Sequence, residues 1–443
     1  MGSQLRSAPW RATARTLAAF SLPLILSGVL QQLYNWADAF IVGNVEGELA
    51  LAAIGATGTI SNFCLLAITG FTVGLSIFFA QTYGRGEEAL LPRILSTFTL
   101  LLGAVFLLLG LGGAAASGRL LRLLHTTADT LALAEDYLSV IFLGIPFMAV
   151  YNVYAAALRG IGDSRAPFLA IVVSSVVNVG LDLLFVAGLG WSVTGAAAAT
   201  VFSQVAMALF LAAYGSWKYP QLRFRLGKGM VDRAVLAQGL RLGVPPMIQS
   251  SVNACGGLLL QNFMNGFGTQ TVAAITTAYR VDSIILLPII NLGSGISTLA
   301  AQHYGAGEED QAWTIFGVGS LLMTAVSLGL TALVIAIGGR TIALFGVGEG
   351  AVAIGQRFFE GIAPFYLVYG LAMAVRGYLE GLGDLVYTSL WGMGALAVRI
   401  AASYAGAPRW GNQIIAYAEA FSWGVLLALY LGRAAWKRRR PAA

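Results

Sequence analysis

Along this chain, apolar residues run in long uncharged stretches such as Ile94 to Leu111, without the alternation of a half-buried strand or the narrow stripe of a surface helix. Twelve such stretches can be read, centred near Val29, Thr69, Ala104, Phe142, Ser175, Val205, Val252, Leu287, Thr324, Tyr366, Ala395 and Trp423. A helix needs about 20 mostly apolar residues to cross a bilayer, and each stretch provides them. A barrel would show alternating segments of about 10 residues, which are missing here. The pattern predicts an all-α integral membrane protein of twelve transmembrane helices.

The pattern also repeats. Gln81-Thr-Tyr-Gly-Arg-Gly-Glu87 returns 221 residues later as Gln302-His-Tyr-Gly-Ala-Gly-Glu308, and Leu158-Arg-Gly-Ile-Gly-Asp163 returns at the same offset as Leu379-Glu-Gly-Leu-Gly-Asp384. The chain is therefore duplicated, with six helices in each half. Residues 1–217 form the first expected lobe, 218–234 a basic linker carrying Pro220, Gly227 and Gly229, and 235–443 the second lobe. An even number of spans per half makes both halves enter the membrane in the same direction, so their pseudo-two-fold axis should lie along the membrane normal. Membrane proteins built this way are typically transporters with a substrate site between the halves.

Composition agrees: 58% of residues are hydrophobic and 10% charged, where a soluble globule carries roughly 25% charge. Lys and Arg counted on alternate loops fall sixteen to one side, from Arg6 through Arg225 and Lys228 to Arg440, and four to the other: Arg119, Arg122, Arg340 and Arg409. Loops facing the cytoplasm retain such residues, which puts both termini inside and makes most of the net charge of +6 topological. Basic residues spread over short loops do not suit nucleic acid. Cys64 and Cys255 fall in apolar helices, where they read as small buried hydrophobes. Arg11 and Arg15 precede a stretch too long for a signal h-region, so the first helix is expected to remain in the mature protein. No P-loop, zinc-protease helix or nucleophile elbow is present, and His125 and His303 fall in expected loops. The chain does not read as an enzyme, and energy would come from an ion gradient. No cofactor or metal site is expected.

The candidate chemistry is polar residues where polarity is costly. A carboxylate at the centre of a membrane helix costs about 2.5 to 3.5 kcal/mol on insertion scales. Asp38 in the first helix and Asp182 in the fifth are two such residues, and Asn178, four residues before Asp182, shares its helix face. Two carboxyls in one cavity could bind and release protons. The alternative is that each satisfies neighbouring donors or lies near a helix end. Tyr34, Asn35, Tyr137, Asn152 and Thr200 are polar groups of the same half that would complete a cluster or serve as packing contacts. In the second half Arg280, Asp282, Glu360, Arg376, Arg399 and Glu419 read as interhelical pairs or snorkelling side chains, with Arg280 and Asp282 too close in sequence to pair with each other. Pro23 and Pro245 hold the same place in the first helix of each half, as a shared bend or a hinge.

Leu22-Pro-Leu-Ile-Leu, Leu33-Tyr-Asn-Trp-Ala-Asp38, the Gln81 and Leu158 motifs, Gly243-Val-Pro-Pro and Arg376-Gly together resemble the multidrug and toxic compound extrusion (MATE) family over essentially the whole chain. The resemblance implies two six-helix bundles and export of cationic, amphipathic compounds in exchange for protons or sodium ions. In the DinF-like branch a polar cluster of the first lobe is implicated in ion coupling, and its pattern falls on Asp38, Asn178, Asp182 and Thr200, with Tyr137 and Asn152 at accompanying positions. Pro23 occupies the place where the family's first helix is proposed to bend. Other branches carry a carboxylate on helix seven, yet Val244 to Phe263 has none. Coupling is thus expected through the first lobe, with protons favoured and sodium the alternative. Asn253, Tyr366, Tyr369 and Met373 are candidates for a substrate cleft, although core packing explains the last three nearly as well. The setting expected is the bacterial inner membrane, with lipid and small molecules as partners and no obligate protein partner. A flippase for a lipid-linked precursor is a rival reading, which would call for a cationic cavity.

Overall fold

The computed structural model describes residues 10–224 and 231–439. Arg225, Gly227, Lys228 and Gly229 of the expected linker, with Arg6 and Arg440 of the charge count, lie outside the described residues. The order is α1 (Trp10–Val45), α2 (Glu48–Gly84), α3 (Leu91–Leu123), α4 (Ala128–Gly160), α5 (Arg165–Asp182), α6 (Ser192–Lys218), α7 (Arg233–Asn265), α8 (Thr269–Ile285), α9 (Leu287–Gly305), α10 (Glu309–Ala343), α11 (Glu349–Ile362), α12 (Tyr366–Gly381), α13 (Leu385–Trp410) and α14 (Ile414–Arg439). Helices α8 and α9 follow one another with a bend of 40° at their break and are together apolar enough for one span, and α11 runs into α12 through a short 3-10 turn at Ala363–Phe365 that contains Pro364. The apolar stretch Leu385–Arg439 is 55 residues long, about 80 Å as a helix and too much for one crossing. It breaks at Gly411, whose φ of 55° turns the chain back. Nine helices of the described residues, or ten with α8 and α9 taken together, are long and apolar enough to cross a membrane; dividing Leu385–Arg439 at Gly411 and counting the 33-residue α7 by length gives twelve segments, as expected.

The duplicated motifs become duplicated helix ends. Gly86 and Gly307 adopt φ of 75° and 77°, and the next N–H in each case reaches back five residues, Glu87 to Thr82 at 3.2 Å and Glu308 to His303 at 2.9 Å. Gly162 and Gly383 do the same before Asp163 and Asp384. His303, expected in a loop, is in the last turn of α9, with Nδ1 2.7 Å from Glu308 Oε2.

By packing, the chain divides into a unit of Leu26–Met247 and a unit of Met1–Ile25 with Ile248–Ala443. Both boundaries fall inside helices, α1 and α7, two residues after Pro23 and two after Pro245, whereas the sequence division lies at 218–234. A proline in mid-helix removes a backbone donor and loosens the ladder, so each first helix of a half can leave one unit and continue in the other at that point. In the Leu26–Met247 unit α4 is central, packed on α2, α3 and α6. Small residues permit this: a Cβ on Gly160 would sit 3.0 Å from the Ser76 carbonyl oxygen, and one on Gly110 2.5 Å from that of Phe142. In the other unit α12 is central, packed on α9, α10 and α14. A Cβ on Gly377 would lie 2.5 Å from the Gly293 carbonyl oxygen.

Candidate functional site

Asp38 is followed by seven more helical residues of α1, so it does not lie at the helix end. Asp182 is the last residue of α5, immediately before a π-helical turn over Leu183–Gly188 in which Leu189 N–H reaches Leu184 O at 2.8 Å. Such irregular turns often mark functional positions, because they redirect side chains and free backbone groups. Asp182 and Asn178 have no exposed surface. The Asp38 and Asp182 carboxyls, from α1 and α5, lie within hydrogen-bonding reach of each other.

This pair is chemically incomplete. Asp38 Oδ1, both oxygens of Asp182 and both amide atoms of Asn178 are buried without a hydrogen-bond partner. A carboxylate has only acceptors, so two of them in direct contact are joined by a shared proton or a cation. Among the described residues no Lys, Arg or His acts on either carboxyl. The site holds two acids and no counter-ion of its own.

The accompanying residues divide. Tyr34 lies within reach of Thr200 beside the pair, and Tyr137, 8% exposed, packs with Val42, Val186, Ala196 and Ala197 close to Asp38 and Asp182. Asn35 is exposed. Asn152 is fifteen residues beyond Tyr137 on α4, about 22 Å along a regular helix, and donates to Met148 O at 2.9 Å. It is therefore not joined to the pair. Pro23 is inside α1, fifteen residues before Asp38.

In the Ile248–Ala443 unit, Tyr366 has no exposed surface and donates its hydroxyl to Asp282. Met373 is in the same core. Neither presents a surface to a substrate in this conformation. Tyr369 is half-buried with its ring 4.7 Å from that of Trp423, and Asn253 is exposed on α7. Cys255, expected to be buried, is exposed on the same helix, where apolar neighbours alone do not imply burial inside the protein. The expected interhelical pairing is found: Arg399 Nη2 donates to Glu419 Oε2 at 2.8 Å and to the Tyr279 hydroxyl at 2.6 Å, and Tyr279 donates to the same Glu419 oxygen at 3.1 Å. Arg376 bonds Glu380 at 2.6 Å and Gln249 at 3.3 Å. Sequence singled out Arg376, Arg399 and Glu419; which groups they meet depends on five different helices.

A family profile described as MatE matches residues 23–184 and 245–405, once in each half. The chain is 28% identical to a probable multidrug resistance protein, YoeA of Bacillus subtilis, over 96% of its own length and 95% of that protein. It is 24% identical to the multidrug export protein MepA of Staphylococcus aureus, with 84% of this chain and 82% of that one covered. Among solved structures, the outward-facing conformation of a multidrug resistance MATE family transporter superposes with a TM-score of 0.89 at 21% identity, covering 97% of this chain and 96% of that one.

Proposed function

Since this chain belongs to the MatE family of transporters, we propose that it exports cationic amphipathic compounds across the bacterial inner membrane in exchange for protons, with both termini cytoplasmic and a single chain sufficient. The observation that carries this reading is the buried Asp38–Asp182 pair with its unmet oxygens. Protonation neutralises the pair; deprotonation leaves two negative charges that attract a cation. Proton and substrate then compete for one charge, and a ligand that prefers one protonation state shifts the conformational equilibrium toward it. Alternating access of this kind couples export to the pH gradient.

Sodium coupling is the second reading. The same oxygens favour it, since Asp38, Asp182 and the Asn178 amide would offer a monovalent cation several ligands in one place. A lipid-linked precursor flippase fits less well, because the buried charge of this site is acidic. Efflux of a fluorescent cation from proteoliposomes under an imposed pH gradient, and separately a sodium gradient, decides among them. The pH gradient alone should drive efflux, and Asp38→Asn or Asp182→Asn should abolish it. Drive by sodium alone, or normal transport by both variants, overturns the proton mechanism.

A further inference from the structure

The 221-residue repeat carries Asn178 onto Arg399 (178 plus 221). Where one half holds a neutral amide with both of its atoms unmet, the other holds a guanidinium bonded to Glu419 and Tyr279. The second unit thus carries its own tethered cation, and Glu419 is compensated by it.

Asp282 is not. It is 4% exposed, and its partner is the neutral hydroxyl of Tyr366. From the elements packed around it, the charged or titratable groups acting on Asp282 are Glu419 of α14, Arg399 of α13 and Tyr366 and Tyr369 of α12, with Tyr279 on its own helix; among the described residues α9, α10 and α11 add none. Two carboxyls face one guanidinium. A carboxylate in so dry a place without a counter-ion is unfavourable, and a proton removes the charge while leaving an oxygen free to accept from Tyr366.

The backbone gives a separate reason to look here. Asp282 lies four residues before the break between α8 and α9, its carbonyl accepting from Leu286 N–H at 2.9 Å, and Pro288 supplies no donor on the far side. Broken spans are where transporter folds house coupling ions. Asp182 before its π turn also lies at a backbone irregularity, on a helix that the repeat does not relate to α8.

We propose that Asp282 is a second proton-binding group of this chain, held by Tyr366 beside the fixed Arg399–Glu419 pair and separate from Asp38 and Asp182. It extends the proton reading above, but its test does not require transport. Infrared spectra of the purified full chain in detergent at neutral pH report the C=O stretch of a protonated carboxyl. In an Asp38→Asn/Asp182→Asn background one such band should remain, disappear on adding Asp282→Asn, and shift in frequency on adding Tyr366→Phe. No band in that background, or a band unchanged by Asp282→Asn, overturns the proposal; the second result would put the proton on another carboxyl such as Glu419. If Asp282→Asn does not fold, Tyr366→Phe decides, because a band it fails to move is not on Asp282. A chain that keeps this band yet fails to transport on a pH gradient refutes the antiport mechanism alone.

Discussion

The Arg399–Glu419 pair allows a prediction in which order matters more than size. Glu419 and Arg399 side chains are 10% and 20% exposed, and Glu419 Oε2 takes donors from both Arg399 and Tyr279. Removing one member of a buried pair costs about 3–5 kcal/mol, whereas replacing both with apolar groups of similar volume is often close to neutral. Here the two single losses should differ. Arg399→Met leaves Glu419 beside Asp282 with no cation, so that Glu419 too must take a proton or stay charged and unpaired, while Glu419→Leu leaves Arg399 near Asp282, which can release its proton and become the partner. Arg399→Met should therefore be the more damaging, Glu419→Leu intermediate, and the double variant Arg399→Met/Glu419→Leu the closest to the parent. With the double variant near the parent, the coupling energy from the cycle should be at least as large as the larger single loss, about 3–5 kcal/mol. Thermal unfolding of detergent-purified protein, followed by tryptophan fluorescence, gives the order directly. Equal losses in the two single variants, or a double variant as unstable as their sum, would refute the assignment of Arg399 as the cation that this unit depends on.

Two further outcomes follow from the same structure. Asp163, in the turn before α5, accepts from the Arg165 and Ala166 N–H groups through Oδ1 and from Tyr214, Lys218 and Tyr219 through Oδ2. Burial pushes its carboxyl up, but the Tyr219 hydroxyl, the Lys218 ammonium and the Ala166 N–H outweigh it and hold the carboxyl below its ordinary 3.8. A depressed carboxyl contributes stability above its ordinary value and loses it as pH falls through the folded one. Asp163→Ala should therefore cost about 1–3 kcal/mol at neutral pH through the lost helix cap and buried bonds and flatten the acid limb of the stability profile; an unchanged acid limb would remove Asp163 from that role. Gly74→Ala puts a methyl onto the Leu242 backbone carbonyl, which cannot turn aside as a side chain would. Yield of folded monomer by gel filtration should fall sharply, while Gly58→Ala, with open space around it, should behave as the parent.

Length, hydropathy and the repeated motifs were enough to determine twelve helical spans, two related halves and the turns between them, because burying a backbone in lipid leaves helices as the solution that satisfies every N–H and C=O locally. The same local periodicity put Asn178 and Asp182 on one face. Periodicity stops at the edge of each helix. That Asp38 reaches Asp182, that Asn152 stays with Met148, that Tyr366 and Met373 turn inward, and that Arg399 chooses Glu419 over Asp282 were decided by how helices pack, and hence by which small residues let backbones close on one another. The division at Pro23 and Pro245 belongs with them: a proline shows where a helix can be interrupted, but only the tertiary contacts on either side determine which unit each part joins.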